Sequence, residues 1–164
     1  MPQAFYLRQL PHLQVDDRQH FVTFCTEHRF SLPEHVRPIA LGCCLHDNGT
    51  KFDLRVAIVM PDHVHMIFTP LIDYERTEVC SLAKIMDAIK GASAHKINKI
   101  LGRKGRVWQP ESFDHVLRSS ESLDAKIEYV LSNPVRRGLV RNWRDYPWVW
   151  KKQLVHPFAP AEIR

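Results

Sequence analysis

The chain is notable first for what it lacks. Nowhere in its 164 residues does an apolar run approach the roughly 20 needed to span a bilayer, so no membrane partner is expected. Its first residues, MPQAFYLRQLPHLQ, hold no apolar signal core, which predicts a cytoplasmic protein. The four cysteines, Cys25, Cys43, Cys44 and Cys80, form no C-x-x-C pair. Neither a zinc knuckle nor a disulfide framework is therefore indicated, and a reducing compartment fits. There is no internal repeat and no low-complexity tract. A single domain over residues 1–164 is expected, with a core of about 20–150 and a C-terminal tail of about 151–164.

What is present is a composition ordinary for a soluble globular protein, 45% hydrophobic and 25% charged. The net charge of +5 hides an asymmetry. Residues 1–89 carry eight Lys and Arg against eleven Asp and Glu, whereas residues 90–152 carry fourteen against six. A basic half beside a mildly acidic half points to a polyanionic partner, although a solvated surface also accounts for charge alone.

Hydrophobic patterning predicts the elements. HFVTFCTEH (20–28) is β-branched and aromatic and reads as a strand. Residues 35–46 have helical spacing if Pro38 lies in the first turn. DNGT (47–50) is a turn signal. LRVAIVM and HVHMIFT, parted by Pro61-Asp62, read as two linked strands. Helical spacing over 79–101 ends at Gly102. RVWQPESFDHVLR suggests a short strand, a turn and a second strand. SESLDAKIEYVLSN (120–133) reads as a helix stopped by Pro134. The order implies an α+β fold: a ferredoxin-like, RRM-like sandwich with a largely antiparallel sheet and packed helices.

Two local patterns carry chemistry. In PDHVHMIF (61–68), side-chain alternation puts His63, His65 and Ile67 on one face and Val64, Met66 and Phe68 on the other. Two imidazoles about 7 Å apart along a strand reach one cation only if their rings tilt inward. Alone, such a pair is also common by chance among ten histidines. In the last predicted helix, Leu123, Ile127, Val130 and Leu131 form the buried stripe, and Tyr129 falls on the polar face beside Lys126. Asn133 lies one turn beyond Tyr129 on the same face, where it also suits a helix end.

Taken together, PDHVHMIF and EYVLSNPVRRGLV resemble the single-tyrosine HUH transposases, and most nearly their domesticated REP-associated tyrosine transposase branch. The segments 89–118, with W-Q-x-x-x-F-D-H-V-x-R, and 138–150, GLVRNWRDYPWVW, extend the likeness over about 51–150. Val149-Trp150 departs from it, since small polar residues are commoner there, which leaves open what the C-terminal segment does. The resemblance implies a ferredoxin-like enzyme that cuts and rejoins single-stranded DNA beside a short hairpin, with Mg²⁺ or Mn²⁺ as cofactor. It implies His63 and His65 as metal ligands, Asn133 as a third, and Tyr129 as the nucleophile that holds a 5′ phosphate and releases a 3′ hydroxyl.

A phenol suits strand transfer because its anion is both a competent nucleophile and a workable leaving group. Lys126 is a candidate for stabilising that anion. Lys96, Arg118, Lys126, Arg136 and Arg137 are candidate DNA contacts, and His115 is a candidate for the shell around the metal or phosphate. Trp108, Trp143 and Trp148 divide between base stacking and core packing, with core expected for at least two. Two other functions compete: a non-catalytic single-stranded nucleic-acid-binding module of the same fold, and a small metal hydrolase that uses water. Monomer and homodimer are both left open.

Overall fold

A computed structural model describes residues 18–73, 78–118 and 121–153. Most of the expected tail and the N-terminal stretch read for a signal core lie outside these residues. The first strand, β1 (His20–Cys25), is shorter than its sequence signature. Glu27–Arg29 form a 3-10 turn in which His28 and Arg29 both have left-handed backbones, with φ of 52° and 55°. Helix α1 (Arg37–Leu45) follows, with Pro38 in its first turn, where a missing N–H costs nothing.

Strands β2 (Phe52–Val59) and β3 (His63–Pro70) are antiparallel partners across the Pro61-Asp62 turn. The Met60 N–H closes that turn on the His63 carbonyl at 2.8 Å. Two short strands, β4 (Ile72–Asp73) and β5 (Glu78–Val79), pair with each other outside the main sheet. Helix α2 (Leu82–Leu101) starts at Ser81, whose hydroxyl accepts from the Lys84 N–H, and stops at Gly102 with φ of 60°. Strand β6 (Phe113–Val116) completes a strand–helix–strand, strand–helix–strand sequence.

The five-stranded sheet has the order β6-β1-β3-β2-β7, where β7 is Val149–Lys151, and every adjacent pair is antiparallel. Without β7 this is the strand order of a ferredoxin-like sandwich, as the sequence implied. β7 pairs along β2, so Val149-Trp150 packs at that edge of the sheet.

Each face of the sheet has its own core. Val22, Phe24, Val64, Met66 and Phe68 pack against α1 and α2. Phe21, Val56, Ile58 and Ile67 pack against Ile127, Val130 and Leu131 of α3 (Leu123–Leu131) and against Tyr146. Burying both faces explains why β3 has no exposed residue.

Two expectations needed correction. Residues 106–109 form no strand, only a bridge between Thr26 and Trp108. Pro134 does not stop the helical path. α3 ends at Leu131, and a new turn, α4 (Asn133–Arg136), begins with Pro134 at its start, where proline is tolerated. Of the three tryptophans considered for stacking or core, only Trp108 is fully buried, with its Nε1–H donating to Ser93 Oγ at 2.9 Å. Trp143 and Trp148 are half-buried, each with an arginine over its ring, Arg144 and Arg37 respectively.

Candidate active site

β3 is a central strand, and its register fixes what surrounds the histidines. His65 lies opposite Thr23 on one side and Ile58 on the other, and His63 lies opposite Cys25. All point to the α3 side of the sheet, because paired residues in antiparallel strands share a face. The two rings are 4.6 Å apart between centroids and inclined at 71°. That is well inside the strand repeat of about 7 Å, so the rings do tilt toward one another.

Both rings are held from behind. His65 Nδ1 is 2.7 Å from the Thr23 hydroxyl, and His63 Nδ1 is 2.7 Å from Asp62 Oδ1. Burial pushes the His65 pKa down to about 3, reinforced by His63 and Arg136. Burial also lowers His63, and Arg29 and Arg137 add to this against the raising influence of Asp62. Both imidazoles are therefore neutral near pH 7, the form in which a ring nitrogen can donate a lone pair.

Asn133 closes the site from above. Its side chain is 6% exposed, and its amide nitrogen is 3.0 Å from His63 Nε2, across 70 positions of sequence. Tyr129, one turn earlier, is 49% exposed. Its ring meets Phe21 edge-on at 6.4 Å, and Phe21 stacks on His65 at 5.3 Å, so one aromatic ring separates phenol from imidazole. The Arg136 guanidinium lies 4.2 Å above the Tyr129 ring and donates to the Tyr129 carbonyl and the Ser132 hydroxyl. Lys126 Nζ lies 5.3 Å from the same ring and 5.0 Å from Phe21.

Imidazole nitrogens and an amide oxygen are groups that can hold a divalent cation. The Asn133 amide meets His63 at Nε2, 3.0 Å away, and the His65 ring centroid lies 4.6 Å from that of His63. Among the described residues no group of three His, Cys, Asp or Glu side chains forms a ligand cluster.

The other candidates divide. Arg137 joins the site through Asp62, at 3.7 Å. Arg118 is exposed at the end of β6, where its backbone N–H donates to Glu121 Oε1. His115 shares the sheet face but sits two strands from β3, with Nε2 on the Glu121 carboxylate at 3.0 Å, and so does not reach the imidazole pair. Lys96 lies on α2, against the opposite sheet face, and lines a cavity of about 290 Å³ with Cys43 and His46. It is therefore not part of this site.

Sequence reasoning passed over Asp62, Thr23, Phe21 and Phe113. The alternation of β1 places Phe21 and Thr23 on one face, but only strand order puts that face beside the histidines. Phe113, 61% exposed, stands edge-on to Phe21 at 6.4 Å.

Comparison with known proteins agrees with this architecture. The sequence profile of the family described as "Transposase IS200 like" matches residues 17–133. The chain belongs to that family. It is 28% identical over 98 residues to a REP-associated tyrosine transposase of Escherichia coli (strain K12), covering 59% of this chain and 53% of the relative. It is 23% identical over 117 residues to a Haemophilus influenzae protein provisionally described in the same way, covering 68% of this chain and 64% of the relative. The chain thus spans between about half and just under two thirds of these relatives. A solved structure of a REP-associated tyrosine transposase bound to a REP hairpin superposes with a TM-score of 0.59 at 23% identity. That match covers 80% of this chain and 75% of the other, and the two share a fold.

Proposed function

We propose that this protein cleaves and rejoins single-stranded DNA beside a hairpin, through a covalent link between Tyr129 and a 5′ phosphate. One observation carries the reading: the turn that directly follows the helix bearing Tyr129 is tied to the imidazole pair by the Asn133 contact with His63. Partial exposure of Tyr129 leaves room for a strand to approach.

The Tyr129 oxygen attacks phosphorus as its proton leaves, the bond from phosphorus to the 3′ oxygen breaks, and that oxygen takes up a proton. Rejoining runs the same steps backwards with another 3′ hydroxyl. The linkage retains the phosphoester, so no separate energy source is needed. A divalent cation held by His63, His65 and Asn133 would supply charge to polarise the scissile phosphate. Lys126, Arg136 and Arg137 stand where a phosphate chain could lie against cations. Burial of the histidines keeps both rings neutral and competent as ligands.

The test is incubation with a pool of hairpin-bearing single-stranded DNAs and Mn²⁺, followed by a denaturing gel and sequencing of the captured DNA. A protein–DNA adduct lost on chelation and in His63→Ala is expected. Cleavage by water without an adduct would favour a hydrolase, and binding without cleavage would favour a non-catalytic module.

A further inference from the structure

We infer that Asp62 is a positioning residue: its carboxylate fixes the ring proton of His63 on Nδ1 and, through that ring, sets which way the Asn133 amide faces. An ionised carboxylate can only accept hydrogen bonds. With Asp62 Oδ1 at 2.7 Å, His63 Nδ1 must be the protonated nitrogen, and the lone pair of the neutral ring lies on Nε2. That lone pair then receives the Asn133 amide N–H at 3.0 Å. In the other tautomer Nε2 would carry the proton, and the amide would have to turn over to present Oδ1. Ring tautomer and amide orientation are thus one linked choice, and Asp62 makes it.

His65 provides an internal contrast. Its Nδ1 faces the Thr23 hydroxyl, which can donate or accept, so that contact imposes no tautomer.

Asp62 is itself firmly held. Arg29 donates to Oδ2 from Nε at 3.1 Å and approaches it with Nη2 at 3.0 Å. The Thr26 N–H donates to the Asp62 carbonyl at 2.9 Å, and the Thr26 hydroxyl, which donates to the Phe30 carbonyl at 2.7 Å, lies 3.2 Å from the same Asp62 oxygen. Arg29 reaches this position from the paired left-handed backbones of His28 and Arg29, conformations that persist in non-glycine residues only where the surroundings enforce them. From the other side, Arg137 lies 3.7 Å from Oδ1, four residues beyond Asn133. Asp62 therefore joins the strained loop, the histidine strand and the segment following the tyrosine helix.

The consequence for cation binding rests on the proposed function: His63 Nε2 is available only once the amide N–H leaves it, and turning the amide brings Oδ1 to the same place. The tautomer itself does not depend on that reading.

The experiment is a long-range ¹H–¹⁵N correlation on metal-free, ring-labelled protein at about pH 7.5, with Mn²⁺ binding followed by electron paramagnetic resonance. Wild type is expected to show His63 protonated at Nδ1 and bare at Nε2. Asp62→Ala should shift the proton toward Nε2 while leaving the His65 signals in place, and should weaken Mn²⁺ binding by about tenfold to a hundredfold. Asp62→Asn, close in shape and able to donate as well as accept, should give a mixed signal and covers the case in which the alanine variant does not fold. A wild-type His63 protonated at Nε2, or a tautomer unchanged in both variants, overturns the assignment. Absence of Mn²⁺ binding in wild type with the expected tautomer would overturn the metal reading and uphold the role of Asp62.

Discussion

Asn133 and His63 touch across the two layers of the fold, the amide nitrogen of one 3.0 Å from Nε2 of the other. One belongs to the turn after the tyrosine helix and the other to the central strand. This contact is what gives Tyr129 a fixed relationship to the imidazole pair.

Because both histidines already have hydrogen-bond partners, the fold does not need a cation to keep them in place. Chelation should abolish DNA cleavage while leaving the thermal unfolding midpoint almost unchanged, measured by circular dichroism with and without EDTA. A large fall in the midpoint would mean that metal is structural here.

Acid should destabilise the protein earlier than carboxylates alone would require. The folded pKa of His65 is depressed to about 3 by burial, and that of His63 is also lowered. The unfolded chain binds those protons near pH 6.5, so below that pH it holds more protons than the folded state. Stability should be greatest above about pH 6.5 and fall as pH drops from there toward about 3, the folded pKa of His65. Urea unfolding across this window checks it, and a flat or rising midpoint on acidification contradicts it.

Thr23→Val removes the hydroxyl behind His65 and leaves a buried ring nitrogen without its partner. A loss of about 1–2 kcal/mol is expected from urea unfolding, with a larger fractional loss of cleavage as the ring is freed. Unaltered cleavage would show that the orientation of His65 does not depend on Thr23.

Phe113 is an exposed aromatic on the same sheet face as Phe21, which itself contacts Tyr129. If a DNA base stacks there, Phe113→Ala should weaken single-strand binding by about 1–3 kcal/mol with little effect on unfolding. Fluorescence anisotropy with a labelled oligonucleotide decides it, and unchanged affinity would exclude that ring from the binding face.

Much of this was legible in the sequence because it depends on short-range periodicity. The alternation in HVHMIF gave the face of both histidines, Gly102 gave the end of α2, and the stripe at 123, 127, 130 and 131 put Tyr129 outside the core. Features set by long-range pairing were hidden. Lys96 belongs to a basic stretch of sequence, but α2 carries it to the far side of the sheet. His115 lies in a segment resembling the family, yet strand order puts β1 between it and β3. Pro134 ends the helical pattern of the sequence, yet proline at the start of a new turn costs little, and the backbone turns on through Asn133–Arg136. Asp62 was visible only as half of a turn signal, and its contacts with Arg29 and Arg137 come from distant parts of the chain. Val149-Trp150, a departure from the family pattern, is accounted for as an edge strand along β2.

The central claim is that Tyr129 is the nucleophile, and the most direct measurement is mass spectrometry of protease-digested protein after reaction with a cleavable hairpin DNA and Mn²⁺. A nucleotide-bearing peptide that contains Tyr129 is expected in the wild type, and none in Tyr129→Phe despite retained DNA binding. An adduct that persists in Tyr129→Phe, or one that maps to another residue, would contradict it.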